Sequence, residues 1–122
     1  MLQNSIYKII SLEHKPGLII ASIELNENHE IFQAHFPGQP VLPGACMLQM
    51  VKEILQKELH VSIQLKNAAV MKFLEMITPQ ENKTLQIHIN YQQEAETYFH
   101  INAFIKSDEK TYFKFNGIFE KK

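Results

Sequence analysis

Residues 35–55 read HFPGQPVLPGACMLQMVKEIL. The first ten hold three of the chain's five prolines and two of its four glycines, and an apolar run with helical spacing follows at once. From Ala45 onward, Ala45, Met47, Leu48, Val51, Ile54, Leu55 and Leu59 recur at intervals of three and four, which predicts a helix. Cys46 and Met50 widen its apolar face, and Lys52, Gln56 and Lys57 are the positions expected to meet solvent. A helix this apolar has to be wrapped by other elements.

The wrapping is readable on both sides. Upstream, IYKIISL (6–12) and LIIASIEL (18–25) are β-branched runs separated by a turn at Pro16 and Gly17. Downstream, 82–92, 96–106 and 110–120 alternate apolar and polar residues: Leu85, Ile87, Ile89 and Tyr91 in the first, Phe99, Ile101, Ala103 and Ile105 in the second, and Phe113, Phe115 and Phe119 in the third. The stretch 65–76 (LKNAAVMKFLEM) tolerates helical spacing, but Pro79 and the neighbouring strands favour a strand. The expectation is an α+β fold, two strands, one buried helix and about four more antiparallel strands forming a curved sheet around that helix. A chain of 122 residues suits one domain, spanning 1–122.

Composition narrows the function. With 45% hydrophobic residues, 20% charged residues and a formal net charge of −1, the chain has the balance of an ordinary globular domain, and its scattered lysines offer no basic patch for a nucleic acid or a membrane surface. A single cysteine, Cys46, cannot form an intrachain disulfide and suits a reducing compartment. No leader and no run of about 20 apolar residues is visible, so a cytoplasmic protein that spans no membrane is expected. Cys46 reads as a small apolar residue rather than a nucleophile. His88 and His100 lie on adjacent strands without the further ligands a metal site needs, and His14, His29 and His60 fall in expected turns.

The helix entry concentrates the chemistry. Pro37, Pro40 and Pro43 stiffen the approach and hold Phe36, Gln39 and Leu42 extended, with Pro43 suited to the first helical turn. Gly44 then offers an amide uncovered by any Cβ, where the unpaired N–H groups and the macrodipole favour a developing negative charge. His35, nine residues earlier, is a candidate base with an ordinary pKa of about 6.5.

The string from His35 to Gly44 resembles the signature of the 3-hydroxyacyl-acyl-carrier-protein dehydratases, FabZ and its relative FabA, which have the hotdog fold. The resemblance implies removal of the C2 proton by His35, binding of the thioester oxygen by the Gly44 N–H, and an acyl tunnel at a dimer interface lined by Phe36, Pro43, Ala45 and Leu48. It also implies an acyl carrier protein as partner, with the substrate on its phosphopantetheine arm, a homodimer or dimer-based oligomer, and no cofactor or metal. The pathway would be fatty-acid synthesis or specialised polyene or polyketide assembly. In the family a carboxylate of the partner subunit assists departure of the C3 hydroxyl, and that position is Gln49 here. Glu53, one turn on, stands where FabZ-like sequences carry Gln, so the two types are exchanged. Gln49 and Glu53 are therefore both candidates for handling the hydroxyl, Glu53 as a replacement acid. Two alternatives remain open: a noncatalytic acyl-carrier-binding subunit beside an active dehydratase, and a hotdog acyl thioesterase that would need Glu53 to activate water.

Overall fold

The computed structural model describes residues 2–34, 40–108 and 110–122. β1 (Tyr7–Lys15) and β2 (Leu18–Leu25) form a hairpin closed by Pro16 and Gly17. Gly17 has φ 80°, the left-handed conformation that a type II turn with proline at its second position requires of its third residue. The short helix α1 (Ile31–Ala34) and the long helix α2 (Gly44–Leu59) precede β3 (Ile63–Phe73), β4 (Thr84–Glu94), β5 (Tyr98–Lys106) and β6 (Thr111–Lys121). The six strands make one sheet in the order β1-β2-β4-β5-β6-β3, antiparallel throughout.

The alternation in the sequence becomes the two faces of this sheet. Ile19, Ala21 and Ile23 of β2, Leu85, Ile87 and Ile89 of β4, Phe99, Ile101, Ala103 and Ile105 of β5, and Phe113, Phe115 and Phe119 of β6 are buried. From α2 they receive Met47, Met50, Val51, Ile54 and Leu55. Each such side chain contributes on the order of 1.5–3 kcal/mol by leaving water. The result is the expected α+β hotdog arrangement, one long helix held against an antiparallel sheet.

Several local expectations are corrected. β1 continues through Lys15, because β2 pairs with it right up to the two-residue turn, so His14 lies in a strand rather than a turn. Its ring nitrogens reach the Tyr91 hydroxyl at 2.6 Å and Glu58 at 3.1 Å. α1 was not anticipated. α2 opens at Gly44 with Pro43 as the extended residue just before it, outside the first turn. Lys57 is exposed, but Lys52 and Gln56 are half-buried, and Gln56 accepts a hydrogen bond from the Ile63 N–H at 3.0 Å.

β3 is a sheet edge, and only its first residue, Ile63, is buried. Leu65, Val70, Met71 and Phe73, with Leu74 and Met76 beyond, are exposed large apolar side chains. The pairing of β3 with β6 slips twice, between Leu65 and Asn67 and between Ala68 and Val70. Gly117 of β6 lies opposite Ala68, and a Cβ there would collide with the Asn67 carbonyl oxygen and crowd the Phe115 ring. Only glycine admits the bulged strand at that point.

Candidate functional site

The approach to α2 is pinned by the Leu42 N–H, which donates to the Ile77 carbonyl at 2.8 Å. Pro43 follows with φ −62° and ψ 146°, and no side chain caps the helix. An α-helix leaves its first N–H groups unpaired, with a partial positive charge of roughly half an elementary unit. Here that end opens onto a cavity of about 450 Å³ lined by Leu42, Pro43, Gly44, Met47, Phe73 and Met76 among others. The Phe73 ring lies over Gly44 so closely that a Cβ at Gly44 would stand 2.6 Å from it. The same ring packs at 5.2 Å from Phe113.

A second polar constellation lies further along the helix. Glu53 is 1% exposed, the one buried charged residue among those described. Its Oε2 accepts from the Leu2 N–H at 2.8 Å and from Gln49 Nε2 at 3.1 Å. Its Oε1 accepts from the Gln3 N–H at 3.0 Å and the Tyr7 hydroxyl at 3.2 Å. Burying a carboxylate is costly unless its lone pairs are matched by donors, and four are present. Burial first, then the Glu53 charge and hydrogen bond, push the Tyr7 hydroxyl well above the usual tyrosine range.

The residues singled out in the sequence divide accordingly. His35 and Phe36 lie outside the described residues. Pro43 and Gly44 come together at the cavity. Ala45 is exposed, and Leu48 is half-buried against the core. Gln49 and Glu53 are joined by a hydrogen bond. Gln49 stands five positions, about 7 Å, further along the axis than Gly44, and its side-chain amide is tied to Glu53 one turn further on, away from the helix start. Cys46 is half-buried, and burial followed by the nearby Glu53 charge raises its thiol pKa, the opposite of what an activated thiolate needs.

Sequence reasoning missed Phe73 and Met76 as cavity walls and Leu2, Gln3 and Tyr7 as partners of Glu53. Nothing in the spacing of β1 marked Tyr7 or its hydroxyl for Glu53. His88 stacks on Phe104 at 4.6 Å, while His100 meets Glu94 at 3.0 Å, so the two histidines are engaged separately. Burial and then Lys106 lower the His88 pKa. Among the described residues no group of three metal-ligating side chains is assembled, and no helix is long and apolar enough to cross a membrane.

Comparison with known proteins bears on this geometry. The ApeI-like family, described as ApeI dehydratase, matches residues 11–115. A 3-hydroxyacyl-[acyl-carrier-protein] dehydratase FabZ from Enterococcus faecalis is 25% identical over 96 residues, covering 73% of this chain and 65% of the relative. The FabZ of Lactobacillus helveticus is 26% identical over 106 residues, covering 80% and 70%. The chain thus spans about two thirds of the length of these relatives. Among solved structures, the dehydratase heterocomplex ApeI:P from Xenorhabdus doucetiae superposes with a TM-score of 0.74 at 20% identity, over 92% of this chain and 96% of the other. A hypothetical thioesterase from Streptococcus pneumoniae, solved with coenzyme A, gives a TM-score of 0.68 at 10% identity, over 95% and 85%. Both share the hotdog fold.

Proposed function

Since the chain belongs to the ApeI-like dehydratase family, we propose that it removes water from a 3-hydroxyacyl thioester carried on the phosphopantetheine arm of an acyl carrier protein, giving the trans-2-enoyl thioester. The observation that carries this reading is the uncapped start of α2 at Gly44, facing a cavity with apolar walls.

The thioester carbonyl oxygen accepts from the Gly44 N–H, so the negative charge that develops as C2 loses its proton is met by a fixed donor and the helix dipole. His35 takes that proton. The C3–O bond then breaks as the imidazolium returns the proton to the hydroxyl oxygen, so water leaves and the imidazole is neutral again. Gln49 has no proton to give without becoming charged, and its part is to hold the hydroxyl.

Because the Gln49 amide is tied to Glu53, away from the helix entry of its own chain, the site in this reading is completed by Gln49 of a second copy. The uncovered apolar side chains on the unpaired β3 edge provide the surface for that copy, as an open strand edge invites pairing. Phe73 belongs both to this edge and to the cavity. The absence of a carboxylate at Gln49 favours one second reading, a pair with a different hotdog chain that supplies the acid. Action as a thioesterase is disfavoured, because the Glu53 carboxylate is already engaged by four donors.

The test is to incubate the purified chain with a 3-hydroxyacyl carrier protein and follow loss of water by mass spectrometry. Turnover that falls roughly 10²- to 10⁴-fold in His35→Ala is expected. Binding without turnover would favour the mixed pair, and neither binding nor turnover would overturn the proposal.

A further inference from the structure

Glu53 is buried, negatively charged and, among the described residues, unpaired with any cation; its partners are the Leu2 and Gln3 N–H groups, the Tyr7 hydroxyl and the Gln49 amide. An ionised carboxylate only accepts hydrogen bonds. The end of the Gln49 amide that meets Glu53 at 3.1 Å is therefore its NH₂ group, and the carbonyl oxygen Oε1 is the end turned away. The tie is rigid, because Leu2, Gln3 and Tyr7 hold the carboxylate from its other sides.

We infer that Glu53 is a positioning residue that fixes the polarity of the Gln49 amide, so that the site receives an acceptor oxygen rather than a donor. This rests on the reading that Gln49 meets the substrate's C3 substituent. A C3 hydroxyl donates to Gln49 Oε1 and keeps its own lone pairs free for the returning proton. An amide of the opposite polarity would donate to that oxygen and compete with the proton. A C3 carbonyl has no proton to donate and meets Oε1 as oxygen against oxygen. The pair thus selects 3-hydroxyacyl over 3-oxoacyl thioesters of equal length, by about tenfold for one hydrogen bond.

In Glu53→Gln the new side chain brings an NH₂ group of its own, which seeks the Gln49 oxygen and turns the Gln49 amide around. Two measurements decide the matter. In the wild-type protein, the Gln49 side-chain amide protons, assigned by their absence in Gln49→Glu, should resonate downfield and exchange more slowly than those of the exposed Gln92. In a His35→Ala background, which leaves the ligands intact, the Kd ratio of 3-oxoacyl to 3-hydroxyacyl pantetheine thioester should fall from about ten toward one when Glu53→Gln is added. Merely structural damage would weaken both ligands together and leave the ratio unchanged. Gln49 protons that behave like those of Gln92, or an unchanged ratio in a folded Glu53→Gln protein, would overturn the inference. If neither thioester binds while the Gln49 protons are protected, the amide tie stands and the dehydratase reading fails instead. The spectra of the wild-type chain give an answer even where Glu53→Gln does not fold.

Discussion

α2 carries two polar stations, nine residues apart and so about 13 Å along its axis, and they are opposites. At Glu53 the chain supplies every partner itself: two backbone amides, a hydroxyl and a side-chain amide converge on one carboxylate. At Gly44 no side chain caps the helix, and the surroundings are a cavity and the half-exposed Phe73 ring. A group satisfied from within holds the fold in place. A group left open is kept for something that arrives from outside.

That contrast can be broken at either station. The largest effect is expected at the saturated one: Glu53→Ala strands several inward-facing donors and should cost roughly 3 kcal/mol in denaturant unfolding. A loss below about 1 kcal/mol would mean the network is slack. Tyr7→Phe removes one donor to a charged acceptor and should cost about 1.5 kcal/mol at neutral pH. Folding raises the Tyr7 hydroxyl above its ordinary value near 10, so its contribution is complete below about pH 10 and is lost as pH rises through the higher folded value. Unfolding measured from pH 8 upward should therefore decline less steeply in Tyr7→Phe than in the wild type.

The open station should respond the other way, with little change in stability and a large change in binding. Gly44→Ala forces the Phe73 ring aside, but that ring is half-exposed and able to move, so stability should shift by less than about 1 kcal/mol. Calorimetry should nevertheless show thioester binding weakened at least about tenfold, since the displaced ring and the new methyl occupy the cavity. Unaltered binding would remove the helix entry from the site. Smallest of all in folding terms is Met71→Lys on the β3 edge, expected within about 0.5 kcal/mol for the isolated chain. It should convert the proposed dimer to monomers in sedimentation velocity and abolish any concentration dependence of Tm.

The elements that pack against their own chain were legible in the sequence. α2 and β4 to β6 announce themselves because Met47, Val51, Ile54 and Leu55, or Leu85, Ile87 and Ile89, repeat with the period of the face they bury. β3 does so less clearly, since its apolar residues beyond Ile63 are left exposed by the described residues and keep no steady period-two alternation. The Glu53 network was hidden for another reason: its partners Leu2, Gln3 and Tyr7 lie 51, 50 and 46 residues away, and no local spacing links them to the helix. The exchange of Gln and Glu between positions 49 and 53 was visible, but its meaning needed the hydrogen bond that joins them. His14 was misplaced because Glu13 and Lys15, polar as a turn would be, form the exposed end of β1.

Gly117 bears on the shape of the outer rim. Each slip in β3 adds a residue that its partner strand does not match, and such insertions steepen the local twist. The hollow at Gly117 absorbs them. The register in which the far half of β3, from Val70 to Phe73, rejoins β6 therefore depends on a hydrogen atom standing where other residues carry a methyl, and a larger residue at 117 would disturb the rim as a whole.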